Sequence, residues 1–556
     1  MSDDAATLPR DAPKGGILQR MLDGIERVGN KVPHPALLFL ALIVIIIVLS
    51  QILAWAGVSA TYEVIKPPPV AVEEYDIGGS VMPGERLPGE RADAEDYAVV
   101  TETAEVESLL SADGIRFLFT SFVSNFMGFT AMGIILIVMI GVGVAELSGL
   151  IAALIRKLVA VSSVGALTYI IVFLGVISSI ASDAGYLVLI PLGAAAFKSV
   201  GRHPLAGIAA AFAGVAGGFG VNLLITPVDA VLTEITNEAI GLVDPSIAID
   251  LTANLWFGIA STVFVTIVLS LVSARLVEPR LGVYDVSLAP SGQERDDAPE
   301  ETTEITPEAD KRGLRWAGLG LLAAVAVVAL LTAPPGGPLR DPETGSIIGT
   351  SPFMDSLIVI IALLFLAAGL GYGRGAGTLK TSTDVIGAVT KSWAGLAGLL
   401  LLFLLIAQFI AYFNYSNVPQ VAAVRLGDLV ESADIGSAWL LVAVIVVSLL
   451  SNFIMPQAIA KWALLAPIFI PLFMRLGIAP EAVLAAYRVG DSPSNIVTPI
   501  MAYFPLIVVF ASRYDRRSGI GTVIALMLPF FVILTVAWTV FFLAWYLLGL
   551  PWGLGT

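Results

Sequence analysis

The chain has two histidines and no cysteine, so thiolate metal sites, disulfides and cysteine nucleophiles are excluded. The residues able to do chemistry are a few charged and amide side chains set in apolar sequence. Asp183 interrupts a stretch of about 33 apolar residues at Ser182-Asp183-Ala184-Gly185. Arg488 and Asp491, three apart, fall on one face of a helix that runs into Ser492-Pro493-Ser494-Asn495. Lys461 and Trp462 follow the interruption Ser451–Gln457, which carries Asn452. A carboxylate facing a partly dehydrated cavity can carry a proton, and a guanidinium can hold a carboxylate on two nitrogens at once. Amides and carbonyls at helix breaks, Asn222 and Asn495 here, can hold a sodium ion. This is the chemistry of binding and ion coupling. An acid–base pair of Asp183 and Asp491 is the enzymatic alternative.

Such residues need a scaffold, and composition names the kind. Of 556 residues, 57% are hydrophobic and 13% charged, whereas a soluble surface needs roughly 25–35% charged residues. The chain is a polytopic membrane protein. Its net charge of −15 sits in two hydrophilic segments, 62–113 at −10 and 282–310 at −8, which leaves +3 for the rest. The acidity therefore describes two solvated spacers and gives no reason to expect nucleic acid as a partner.

A crossing helix needs about 20 apolar residues. Arg10, Lys14, Arg20, Arg27 and Lys31 place the N-terminus in the cytoplasm. From there 36–57 leads outward, 118–155 returns to Arg156 and Lys157, and 165–197 has basic residues at both ends. That last stretch reads as a re-entrant hairpin from the cytoplasmic face, tolerated only where protein or water surrounds it. Then 204–240 exits and 251–273 returns, followed by 316–333 out, 355–372 in and 392–413 out to a loop with Glu431 and Asp434. A second hairpin, 438–474, enters from outside; 480–512 returns inward, and 519–548 leaves the C-terminus in the periplasm. The expected fold is all-α: nine crossings and two opposed hairpins. Residues 1–35 form a cytoplasmic segment, 36–273 a first repeat, 274–315 an acidic linker and 316–548 a second repeat.

The repeat is visible directly. Shifted by 276 residues, the chain matches itself at ten of the 31 positions from 184 to 214, including Pro191/Pro467, Gly201/Gly477, Pro204/Pro480 and Gly214/Gly490. Opposite entry makes the copies inverted, the architecture of secondary transporters with a site at the repeat interface. Breaks are expected at Gly217–Asn222 and Asp491–Asn495, where unwound backbone offers carbonyls and amides. Glu146, Asp229 and Glu234 read as residues approaching the membrane interfaces.

The residues Ser182-Asp183-Ala-Gly-Tyr186-Leu-Val-Leu-Ile-Pro191, Gly201-Arg202-His203-Pro204, Ala460-Lys461-Trp462-Ala463 and Tyr487-Arg488-Val-Gly490-Asp491-Ser-Pro493-Ser-Asn495 resemble the p-aminobenzoyl-glutamate transporter (AbgT) family over nearly all of 36–548. The resemblance implies nine membrane helices and two opposed hairpins in a homodimer of the bacterial inner membrane. It implies import of p-aminobenzoyl-glutamate, or export of sulfonamide antimetabolites, driven by the proton gradient. It carries functional roles onto Asp183 and Asp491, and onto Asn452, Trp462, Pro480, Arg488 and Pro499. Ile459 stands where a small hydroxyl residue is expected.

The combined expectation is a proton-coupled transporter for an aromatic carboxylate, needing no cofactor. Arg488 would hold the carboxylate, Asp491 would position Arg488 and Asp183 would carry the proton. The alternative within the same class is a sodium-coupled dicarboxylate carrier using Asn222 and Asn495.

Overall fold

The computed structural model describes residues 35–66, 98–160, 163–180, 185–244, 246–289, 306–348, 351–432, 436–499, 501 and 503–554. The principal helices are α1 (Pro35–Trp55), α2 (Thr130–Leu147), α3 (Leu167–Ile177), α4 (Ile190–Ser199), α5 (Pro204–Gly217), α6 (Pro227–Ile240) and α7 (Leu255–Val272). The second half contributes α8 (Pro307–Thr332), α9 (Leu357–Ala376), α10 (Ala397–Tyr415), α11 (Ser437–Ser451), α12 (Ala458–Arg475), α13 (Pro480–Ser494), α14 (Phe504–Ser512) and α15 (Ile520–Leu547). Among the described residues eight helices are long and apolar enough to cross a membrane: α1, α2, α7, α8, α9, α10, α12 and α15. The expected crossings 204–240 and 480–512 are each divided into two shorter helices by a break.

The centre of the molecule is helical and small-residued. Every residue of α5 is buried, as is every residue of α13 from Ala482 to Ser494. Glycine allows this packing. A Cβ at Gly214 would lie 2.6 Å from the Val172 carbonyl of α3, and one at Gly490 would collide with the Ile445 carbonyl of α11. The glycine shared at the 276-residue offset thus meets the first arm of its own hairpin in both copies. Outside this core, α2, α8 and α9 pack side by side, with Gly369 against Ala145 and Gly371 against Trp316. Close approach of small residues is how helices associate where water exclusion gives no help.

Both interrupted apolar stretches fold back on themselves. Val176 of α3 meets Gly218, while Phe197 of α4 meets Gly207, so α3 runs along α5 and α4 runs against it. Arg202, just after α4, reaches Thr168 at the start of α3 over 2.7 Å, so the two ends of the stretch lie at one level. In the second half, Ala458 at the start of α12 meets Tyr487 at the middle of α13, while Ile445 and Ser448 of α11 meet Gly490.

Four expectations need correction. The segment 62–113 is not wholly irregular: β1 (Ser59–Lys66) and β2 (Ala98–Glu105) form an antiparallel ribbon pairing Ser59 with Glu105, so the fold is not purely helical. The loop after α10 contains the helix Val418–Ser432, whose buried Val418, Val421 and Val424 recur at helical spacing. The crossing 118–155 runs through four helices, Ala112–Thr120, Phe122–Met127, α2 and Leu150–Ala160, divided at Ser121 and near Gly128 and Gly149. The second break begins at Asn495, not at Asp491. Pro493 lies in the last turn, so the helical bond it cannot donate is lost where the helix is already ending, and the helix stops before Pro499.

Candidate functional site

The two breaks and the two hairpin tips come together. After α5, Gly218 to Thr226 is non-helical until Thr226 and Asp229 form a capping box that starts α6. Asn222 in this break donates to the Ile177 carbonyl at 3.0 Å and to Ser179 Oγ at 2.9 Å, both at the tip of the first hairpin. After α13, Asn495 accepts from Asn452 Nδ2 at 2.9 Å, at the tip of the second. The partners are 43 residues apart in both cases. Each break is therefore pinned to its own hairpin by an asparagine amide in the equivalent place.

Between the tips lies a cavity of about 360 Å³. Ser179 and Ile180 line it from the first tip, Gln457 from the second, and Phe219 and Asn495 from the two breaks. Ile459 also faces it, so the wall is apolar where the family pattern suggests a hydroxyl. Tyr186 and Tyr503 on its border stack at 4.4 Å, nearly parallel at 11°.

Beside the cavity is a buried polar cluster. Lys461 donates to Asp491 at 2.5 Å and to Asn452 Oδ1 at 2.5 Å, and its side chain is 1% exposed. Tyr487 donates to the Ala458 carbonyl at 2.5 Å and sets its ring, tilted by 31°, at 4.5 Å from Trp462, whose indole N–H reaches Thr236 Oγ1 at 2.9 Å. Charges held this deep in a membrane protein are costly unless paired, and they concentrate where function requires them.

Arg488 does not pair with Asp491. It forms an ion pair with Asp229 of α6, and its Nη1 also reaches the Gly220 carbonyl at 3.3 Å. The reason is that α13 has no solvent face. With neighbours on every side, residues three apart send their side chains to different helices: Asp491 to α12, Arg488 to α6. Asp229 is accordingly no interfacial residue but part of this centre. Asp491 cannot position Arg488 as expected. Asp229, which the sequence places near a membrane interface, and Lys461, to which it gives no partner, are the members whose place only the structure shows. Thr226-Pro227-Val228-Asp229, a capping pattern directly after a break, is the signal that marks the former.

The remaining candidates are spread around this centre. Pro480 opens α13, about 16 Å of helix rise from Asp491. Pro499 lies within the second break. Asp183 falls outside the described residues. Asn222 and Asn495 line different cavities, and each side-chain oxygen already accepts a hydrogen bond.

Pinned breaks, folded-back hairpins and buried charges about a cavity define a multi-pass membrane transporter. The sequence profile of the AbgT transporter family matches residues 20–556, and the chain belongs to that family. It is 34% identical over 553 residues to the p-aminobenzoyl-glutamate transport protein of Escherichia coli (strain K12), covering 99% of this chain and 98% of that one. It is also similar to two solved structures, each at a TM-score of 0.80. The Alcanivorax borkumensis YdaH transporter, described as having an unusual topology, is 41% identical over 94% of this chain and 100% of its own. Neisseria gonorrhoeae MtrF, which illuminates a class of antimetabolite efflux pumps, is 38% identical over 95% of this chain and 97% of its own. The protein is a transporter and not an enzyme, which disposes of the acid–base pair as catalytic machinery.

Proposed function

We propose that the protein is a secondary active transporter for p-aminobenzoyl-glutamate or related aromatic carboxylates of folate metabolism, with export of sulfonamide antimetabolites as a related activity. The observation that carries this reading is the 360 Å³ cavity between the two tips and the two breaks. Its size falls in the range of small-molecule sites, about 300–1,000 Å³. Apolar walls and stacked tyrosines suit an aromatic ring, and the buried cluster beside it suits charge. Two copies of a hairpin followed by a broken helix support an inverted repeat with alternating access. With α12 left out as an arm of the second hairpin and the two broken helices counted in, this reading has nine crossings, with the N-terminus cytoplasmic and the C-terminus periplasmic in a homodimer of the bacterial inner membrane.

The proton is the proposed coupling ion. The alternative, sodium at Asn222 and Asn495, is less well served by amide oxygens already engaged in separate places. Counterflow of labelled p-aminobenzoyl-glutamate into proteoliposomes, followed by accumulation under an imposed proton or sodium gradient, tests both parts. Absence of counterflow with this compound and with sulfonamides would refute the reading; accumulation driven by sodium alone would replace the ion.

A further inference from the structure

We propose that Asp229 is an internal stand-in for a carboxylate of the cargo: it holds Arg488 between turnovers and gives way when a cargo carboxylate arrives. The inference rests on the transport reading above and adds to it a specificity-determining residue.

The first observation is how little of the guanidinium is used. Arg488 is 6% exposed, and the contacts to Asp229 and the Gly220 carbonyl both involve Nη1. Its Nε is buried without a hydrogen-bond partner. An arginine fork matches a carboxylate on two nitrogens, so a one-nitrogen contact leaves recognition capacity unspent.

The second is the space beside it. Arg488 and Asp229 line a cavity of about 30 Å³ with Gly220, Asn222 and Asn254. This holds a carboxylate group or a water and nothing as large as an aromatic acid. Phe219 and Val228 face the 360 Å³ cavity, while their neighbours Gly220 and Asp229 face this small one. Only the thickness of the first break separates an aromatic-sized space from a carboxylate-sized one.

The third is that the other copy makes the corresponding crossing without an ion pair. Arg488 falls on Phe212 at the 276-residue offset, and Phe212 packs edge-on against Phe504 at 6.1 Å. Phe504 is one position from the counterpart of Asp229 at this offset, and two from it at the 273-residue offset that relates Asn222 to Asn495. In the other copy, then, the crossing between the buried helix and the helix beyond the opposite break is made by two aromatic rings. Charge at the Arg488–Asp229 crossing has to be explained by something other than packing.

Asp229 is also built to release. Its Oδ2 accepts from Thr226 N at 2.7 Å and Thr226 Oγ1 at 2.8 Å, so the start of α6 stays capped when Oδ1 loses Arg488. Displacing one carboxylate by another then frees α6 from α13 without unravelling either, and couples cargo arrival to movement between the two halves.

The test is equilibrium binding to purified Asp229→Asn protein, whose amide oxygen can still cap Thr226. Removing the internal competitor should tighten p-aminobenzoyl-glutamate and p-aminobenzoate on the order of tenfold, while a neutral sulfonamide changes less than about twofold. Carboxylate affinity that is unchanged or weaker in the folded variant would overturn the proposal and leave a structural pair. Should the variant not fold, Asp229→Asn/Arg488→Gln, which removes both charges, decides the matter. Loss of preference for carboxylates over sulfonamides supports the stand-in; a preserved preference overturns it. Wild-type protein that binds neither class would instead defeat the transport reading itself.

Discussion

Lys461 and Asp491 meet at 2.5 Å with 1% and 2% of their side chains exposed. At the 276-residue offset their counterparts are Gly185 and Val215, which also touch: a Cβ on Gly185 would lie 3.0 Å from Val215 Cγ1. One copy of the hairpin therefore closes on its broken helix with apolar atoms, and the other with a charge pair. Desolvating two charges offsets most of their attraction, so buried pairs are poor stabilisers. Breaking one is another matter. Lys461→Met should destabilise the detergent-solubilised protein by about 3–5 kcal/mol, because a lone carboxylate remains. Lys461→Met/Asp491→Leu should recover most of that loss but not transport. Recovery of transport in the double variant would show that the pair only packs.

Arg488→Lys separates the two kinds of cargo. A lysine keeps the charge and loses the fork. Transport of p-aminobenzoyl-glutamate should fall about tenfold or more, the value of one charge-assisted hydrogen bond, while neutral sulfonamides lose far less. Equal losses in correctly inserted protein would mean that Arg488 serves structure alone.

His203 introduces a pH dependence at the start of the buried helix α5. Its Nδ1 accepts from Leu205 N at 3.2 Å, which requires the neutral ring. Burial pushes the imidazole below its usual value, with Asp515 and Glu278 partly opposing. A base whose folded value is depressed contributes stability that is present above its unfolded value, about 6.5, and lost as pH falls towards the folded one. Thermal stability should accordingly decline below about pH 6.5, and His203→Asn, which caps without titrating, should flatten that part of the profile. An unchanged profile would assign the acid sensitivity to other groups.

Topology can be read chemically because the chain has no cysteine. Single cysteines placed before Leu167 and after Ser199 should be labelled from the same side of a sealed membrane, and a pair flanking 438–474 from the other. Opposite-side labelling of the first pair would make 165–197 an ordinary crossing and dissolve the inverted pairing.

Much of this architecture is legible in sequence because backbone packing writes itself in glycine and proline. Gly214 and Gly490 coincide at the offset since each must let a hairpin arm approach. Pro204 and Pro480 coincide since each opens a buried helix. Pairing among side chains is less legible. Arg488 and Asp491 share a helix face in one dimension, yet Arg488 takes a partner 259 residues away because α13 is buried all round. Lys461 looked like a neighbour of Trp462 and proved to be the partner of Asp491, a relation fixed by how the second hairpin folds back. The ribbon Ser59–Glu105 escaped notice because its strands flank a long acidic segment that dominates the local composition.

The last prediction concerns Asp183, which lies at the tip of the first hairpin by sequence. A carboxylate that faces a partly dehydrated cavity can carry a proton. No basic residue stands within a helical turn of it in sequence, whereas Asp491 is held by the Lys461 ammonium. Asp183 is therefore the proposed proton carrier of the two. Asp183→Asn keeps the shape of the protonated acid and removes its titration. Accumulation driven by a proton gradient should be lost in reconstituted vesicles, and far more completely than counterflow, which requires no net coupling. If the variant still concentrates cargo against its gradient on protons alone, Asp183 is not the carrier and the Lys461–Asp491 pair becomes the place where the proton must travel.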